Sequence, residues 1–238
     1  MALQDRRVFT ATRTIDRAEV DVGLRQYMLG VYNYMASGVL LTGIVAFLVS
    51  SSPALMQVIF GTPLMWVVML SPLAFVFAMS FGINRFSPTT LQALFWGLCT
   101  AYGLSFATIF LAFTGESIAR VFFISAGAFA GLSLYGYTTK RDLSGFGSFL
   151  IMGVFGILLA TIVNWFLGSA ALQFAISVLG VLVFAGLTAY DTQQIKEMYV
   201  EHEEAGVRTK KSVMGALQLY ISFVALFMFL LQIFGSRE

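Results

Sequence analysis

Between Arg25 and Arg85 the chain runs 59 residues without a charged side chain, and gaps of this kind recur to the C-terminus. The others are 86–115 (30 residues), 121–139 (19), 143–190 (48) and 212–236 (25). A hydrocarbon layer about 30 Å thick is crossed by roughly 20 apolar helical residues, so uncharged length counts spans. The gaps hold two, one, one, two and one, seven in all. With 58% hydrophobic and only 11% charged residues, a soluble fold of this size has too few polar groups to cover its surface. The expected fold class is an all-α integral membrane protein, a seven-transmembrane helix bundle.

Turn residues divide the two long gaps. Ser51-Ser52-Pro53 through Gly61-Thr62-Pro63 separates span 1 (26–50) from span 2 (64–82), and Gly168-Ser169 separates span 5 (146–167) from span 6 (171–190). The remaining spans are 89–113, 119–139 and 213–234. Twelve of the fourteen Lys and Arg fall on the N-terminal side, at 6, 7, 13, 17, 25, 85, 140, 141, 196, 208, 210 and 211. Only Arg120 and Arg237 fall on the other. The positive-inside rule then places the N-terminus in the cytoplasm and the C-terminal tail outside. The expected organisation is a cytoplasmic N-terminal segment, 1–24, and a transmembrane domain, 25–238. Segment 1–24 mixes both charge signs and has no apolar core, unlike a cleavable signal peptide. All connections are short except 191–212, so function is expected within the bundle or at its cytoplasmic rim. Gly127, Gly131 and Gly180 are expected to let helices pack closely.

Cys99 is alone and within a span, so no intrachain disulfide forms, and it reads as a small hydrophobe. Ionisable groups at membrane depth are costly and become the first functional candidates. Asp191 stands out, at the cytoplasmic end of span 6, opening the run Asp191-Thr192-Gln193-Gln194-Ile195-Lys196. Ile195 and Met198 lie four and seven residues on, so the helix is expected to continue through it. A carboxylate there loses hydration, which disfavours its charged form unless a cation is near. The opposing reading is an exposed edge residue or an ion pair with Lys196, and position alone weighs the two equally. Arg85, between spans 2 and 3, reaches Asp191 if those helices are adjacent. Its simpler role is a snorkelling, topology-setting arginine. Gln218 and Ser222, four apart on one face of span 7, suit interhelical hydrogen bonds more than a conduit lining. Asn33 and Asn164 carry the same two readings. Glu116 and Arg120 form an i, i+4 helix pair. His202, in Glu201-His202-Glu203-Glu204, matches no metal-ligand spacing and reads as a solvated loop.

Three runs together resemble the Bax inhibitor-1 (transmembrane Bax inhibitor motif) family in a compact bacterial form. They are Lys140-Arg141-Asp142-Leu143-Ser144, Tyr190-Asp191-Thr192-Gln193-Gln194-Ile195-Lys196 and Leu217-Gln218-Leu219-Tyr220-Ile221-Ser222-Phe223. The resemblance covers nearly the whole chain. It implies six helices wrapped around a central seventh, and a pH-sensitive calcium leak gated near the cytoplasmic side. In that scheme two aspartates, ending span 6 and within span 7, share a proton, and an arginine after span 2 latches onto the first. By position these map to Asp191 and Arg85. The second aspartate is replaced: Ser222 stands where the family has a carboxylate. Two coupled carboxylates titrate as a pair with split apparent values, and a lone carboxylate beside a hydroxyl lacks that coupling. Calcium, which takes six to eight oxygens, also loses a charged ligand.

Two function classes follow. The first is a passive cation pathway, foremost a calcium leak, closed by an Asp191–Arg85 contact. The second is a non-conducting regulator that binds a membrane partner, such as a membrane-bound quality-control protease, through segment 1–24. An enzyme is the weakest class. The lone His lies in a loop, no second intramembrane Asp exists for a di-aspartyl site, and the four lysines lie in loops, away from any retinal-like position. No cofactor and no nucleic acid are implied; the partner common to both classes is the lipid bilayer, in the bacterial inner membrane.

Overall fold

The computed structural model describes the backbone of residues 2–236 and the side chains of residues 22–236. Its chain is a succession of helices: α1 (Ala2–Ser50), α2 (Pro53–Phe60), α3 (Leu64–Gly82), α4 (Pro88–Phe106), α5 (Ile109–Ala112), α6 (Gly115–Thr138), α7 (Ser144–Leu167), α8 (Ala170–Glu197) and α9 (Ala205–Phe234). Seven stretches among the described residues are long and apolar enough to cross a membrane, from Val22–Ser50 to Ala205–Phe234. The expected spans each fall on one of them. The side chains of the expected partner-binding segment, up to residue 21, and Arg237 lie outside the described residues.

Hydroxyl caps set where several helices begin. Ser52, Ser87, Thr114 and Ser169 each accept a hydrogen bond from the backbone N–H three residues on, satisfying an orphan donor of the first turn. Pro53 and Pro88 follow two of these caps at the first helical position, where a missing N–H costs nothing. Gly168, at φ 60°, closes α7 in the left-handed region and makes the tight hairpin to α8.

The seventh span is the centre. Of the most apolar window of α9, 56% is buried, against 17–39% for the other six. Leu219, Tyr220, Leu226 and Leu231 of α9 form the middle of the core with Val31, Phe95 and Val121 from its neighbours. The ring around it is incomplete, however. Helices α8, α1, α6 and α4 pack on α9, whereas α3 packs on α4 and α7 on α8, one layer further out. The outer surface is inverted relative to a soluble protein, with Phe81, Phe123, Phe155 and Leu182 exposed to lipid. Trp165 and Phe166, just before the Gly168 turn, stand at a membrane boundary where aromatic rings concentrate.

The structure corrects four expectations. The segment 191–212 is not a long connection: α8 continues to Glu197 and α9 begins at Ala205. Polar side chains end a span but not a helix, because backbone hydrogen bonds continue into the interface. Three of the four lysines accordingly sit on helices, Lys196 on α8 and Lys210 and Lys211 on α9. The presumed turn 51–63 contains α2. Gly127 and Gly131 face open space on the outside of α6 and pack against nothing among the described residues. Gly180 does admit close packing, of the Phe229 ring from α9.

Candidate functional site

The expected basic residues that fall among the described ones gather at one end of the bundle, where α3 meets α4, α6 meets α7 and α8 meets α9. Asp191 lies near this end, on α8, only 4% exposed. Gln218 and Ser222, one turn apart on α9, both reach it. Gln218 Nε2 donates to Asp191 Oδ1 at 3.0 Å, and Ser222 Oγ donates to Oδ2 at 2.8 Å. The carboxylate is therefore bridged to the central helix by two neutral donors. No ion pair involves it among the described residues.

The residues after Asp191 each bind a different neighbour, because a helix turns its side chains by a new angle at every step. Thr192 donates to the Thr188 carbonyl at 2.7 Å and lies 2.9 Å from Ser133 Oγ on α6. Ser133 lies 2.6 Å from the Tyr32 hydroxyl on α1. With the Thr192 proton committed, Ser133 donates to Thr192 and Tyr32 to Ser133, a hydroxyl chain of one sense from α1 through α6 to α8. Gln193 grips the α6–α7 connection with both ends of its amide. Nε2 donates to the Arg141 carbonyl, and Oε1 accepts from the Leu143 N–H, each at 2.8 Å. Lys196 donates to the Tyr137 carbonyl at 2.9 Å and stands over the Tyr137 ring, 5.7 Å from its centre.

This close α6–α8 approach depends on Gly136, where any Cβ would strike the Ala189 carbonyl of α8.

Lysines close this end by capping helix C-termini, whose last carbonyls have no partner within the helix. Lys196 serves the end of α6, and Lys211 reaches the Met198 carbonyl after α8 at 2.9 Å. Lys210 reaches the Ile83 carbonyl after α3 at 3.3 Å. Lys211 also pairs with Glu203 at 2.6 Å. In the connection between α6 and α7, Asp142 Oδ1 accepts from the Ser144 N–H at 2.8 Å. The bonds from Ser144 hold the exposed Asp142 carboxyl below its ordinary range.

Arg85 is not a latch on Asp191. It is exposed in the α3–α4 turn and is paired with no acid among the described residues. The reason is packing order: α3 lies on α4, outside the layer that contains α8 and α9. The contact that ties this turn to α9 comes from Lys210 instead. Asn164 belongs to a separate cluster at the opposite end. It accepts from the Ser169 N–H at 3.1 Å and donates to Gln173 at 3.0 Å. Gln173 and Ser177 both donate to Gln232 Oε1, at 2.6 and 2.9 Å. These residues line a cavity of about 360 Å³. Gln173 and Asp191 are separated by about 27 Å along α8. Between the two clusters the Phe229 ring lies on Gly180, 5.8 Å from the Phe184 ring. Asn33 is exposed on α1, its carbonyl taken by Ser37. Glu116 and Arg120 pair at 3.1 Å, both exposed, as their spacing implies. His202 is exposed, and no group of three or more metal-ligating residues occurs among the described residues.

Comparison with known proteins settles the family. The family model described as inhibitor of apoptosis-promoting Bax1 matches residues 24–238. The chain belongs to the Bax inhibitor-1 family. A Caulobacter vibrioides protein is 49% identical over 237 residues, 94% of each chain. Inner membrane protein YbhL of Escherichia coli K12 is 44% identical over 219 residues, 91% of this chain and 94% of its own. A Rickettsia prowazekii protein is 43% identical, covering 96% of this chain and 97% of its own. Of the residues singled out from the sequence, the structure brings together Asp191, Gln218 and Ser222, and it turns Lys196 to the Tyr137 carbonyl instead of to Asp191. The ties made by Thr192, Gln193 and Lys210 were not anticipated. The uninterrupted polar run after Asp191 was the available signal, since each member of such a run on a buried helix needs its own partner.

Proposed function

We propose that the chain is a proton-sensitive cation leak, foremost for calcium, gated at its basic end through Asp191. The observation that carries this reading is the Asp191 carboxylate, buried at membrane depth and bonded to the central helix by neutral donors. An intramembrane carboxylate is costly and therefore marks a pathway or a proton relay by default. Adding or removing one proton on Asp191 changes what Ser222 and Gln218 can donate to, and so changes the bond between α8 and α9. The site offers two carboxylate oxygens and a hydroxyl, with Gln218 turning its Nε2–H toward them, fewer oxygens than calcium takes when it is held. That suits passage more than storage, since conduction needs a site an ion can leave.

In this proposal Asn164 and its partners form the opposite mouth, and Phe229 against Gly180 keeps the resting pathway shut. The basic end faces the cytoplasm, as the clustering of Lys and Arg indicates, with segment 1–24 cytoplasmic and 25–238 in the membrane. The membrane is the bacterial inner membrane, as the name of the YbhL relative suggests. No enzymatic step is part of the reading, and Arg85 acts as a rim charge.

Calcium flux into liposomes holding the purified protein, followed across the neutral pH range, tests this. The wild type should leak with a pH dependence that Asp191→Asn abolishes, and Ser222→Asp should change the shape of that dependence. A silent wild type would overturn it, and flux that appears only in Ser222→Asp would mean that the chain keeps the fold without the switch. A non-conducting regulator of a membrane partner such as a protease, contacting it through segment 1–24, would then be the better reading.

A further inference from the structure

Helices α1 and α6 both lie against α9, yet they share no continuous packing with each other. The Tyr32–Ser133 contact crosses the seam between them, which is otherwise open at two levels. At the opposite end a cavity of about 510 Å³ is lined by Ile44, Phe47, Phe123 and Phe227 among others, with no charged residue in its wall. At the basic end a cavity of about 570 Å³ carries a charge. Met28 and Leu29 of α1 and Phe129, Ala130 and Leu134 of α6 line it together with the Tyr32–Ser133 contact and Tyr137, and Arg25 is part of its wall. Arg25 is exposed and has no hydrogen-bond or ion-pair partner among the described residues. The other basic groups nearest this rim either reach backbone carbonyls, as Lys196 does, or point to solvent, as Lys140 does.

A guanidinium without a partner among the described residues, over a largely apolar slot, matches one chemistry, an anionic head on a hydrocarbon chain. A guanidinium binds phosphate through two parallel hydrogen bonds, and a basic group at a membrane surface favours anionic lipid. We propose that the basic-end half of the α1–α6 seam binds one anionic phospholipid. Its phosphate sits on Arg25, and one acyl chain runs between Met28 and Leu29 on one side and Phe129 and Ala130 on the other. The chain then covers the Tyr32–Ser133–Thr192 relay, which ends one residue from Asp191. The lipid is thus placed to steady the helix that carries the site. The site stands whether or not the protein conducts ions.

Native mass spectrometry of the purified full chain, offered phosphatidylglycerol and phosphatidylcholine with identical acyl chains, reads this directly. The wild type should retain phosphatidylglycerol in preference. Arg25→Gln should lower that preference about fivefold, the effect of one basic group at the surface. Ala130→Trp, which fills the slot from an outward-facing position, should reduce retention of both lipids. Ala119→Trp, in the cavity at the other end, should leave the preference unchanged. Inorganic phosphate should fail to displace the lipid. Elution volume and helicity equal to wild type establish that each variant is folded. The proposal is overturned by any one of four results: no headgroup preference in the wild type, a preference unchanged in Arg25→Gln, lipid retention unchanged in Ala130→Trp, or displacement by phosphate alone.

Discussion

Replacing Ser222 by alanine removes one of the two donors to a carboxylate that is 4% exposed, and the size of the loss can be worked out. A hydrogen bond to a charged group contributes about 1.5–3 kcal/mol in soluble proteins. Between membrane helices measured couplings are smaller, about 0.6 kcal/mol on average with a maximum near 1.7. The Ser222–Asp191 bond sits at the upper end of the membrane range, because its acceptor is a buried carboxylate and no cation among the described residues shares the load. Ser222→Ala should therefore destabilise the bundle by about 1.5 kcal/mol. The same change in an Asp191→Leu background should cost little. There the hydroxyl has lost its acceptor and turns back to the carbonyl of Gln218 on its own helix. Replacing both partners of a buried hydrogen bond is far milder than stranding one. Reversible unfolding in mixed micelles, run on the wild type, both single variants and the double variant, gives the coupling. A cost for Ser222→Ala that agrees within about 0.3 kcal/mol in the two backgrounds would mean additivity. The hydroxyl and the carboxylate would then share no bond, and the bridge between α8 and α9 would be lost with it.

Three further outcomes follow from the same geometry. Lys196→Met should strand the Tyr137 carbonyl at the end of α6, costing about 1 kcal/mol, and hydrogen exchange should speed up over 137–143 while α9 is unaffected. Gly136→Val should push α6 away from the Ala189 carbonyl and cost about 1–3 kcal/mol by overpacking, read as a lower unfolding midpoint. Asp142 has a lowered folded value, so its stabilisation of the α7 start is present above the unfolded carboxylate range. It is lost as pH falls through the folded value, below about 4. The protection of the Ser144 amide, measured against its intrinsic exchange rate at each pH, should therefore fall in that acid window and stay constant above it.

The span count was legible because membrane insertion is a demand on length and charge alone, and both are written in the chain. The site was half legible. Gln218 and Ser222 lie four apart, so helix geometry puts them on one face whatever surrounds them. That the face meets Asp191 also follows once α8 and α9 are antiparallel neighbours joined by a short turn. Arg85 failed for the opposite reason. Its distance from Asp191 depends on which helix lies beside α3, and lateral order in a bundle is fixed by side-chain shape along whole faces. Gly127 and Gly131 show the same limit. Their spacing permits close packing, but nothing local says whether the facing surface is a helix or lipid. The end of α8 was legible in its periodicity and not in its charge: Ile195 and Met198, spaced helically from Asp191, carry the helix almost two turns past the boundary that charge marks.

Ser222 in place of a second carboxylate changes the character of the bridge more than its strength. Two facing carboxylates hold one proton between them, since both cannot comfortably ionise at contact, and they release protons in two separated steps. A carboxylate facing a hydroxyl has one titratable proton, and the serine donates in either state only if an acceptor remains. In the proposed gate the bridge therefore responds to pH in a single step, that of Asp191. The other ties across this end, from Thr192, Gln193 and Lys196, involve hydroxyls, an amide and backbone carbonyls, with no acid among them. They hold α8 to α6 regardless of that step. In the proposed gate, a proton-driven change consequently starts at the α8–α9 contact and is shared by α6, which is tied to α8 and also packs on α9.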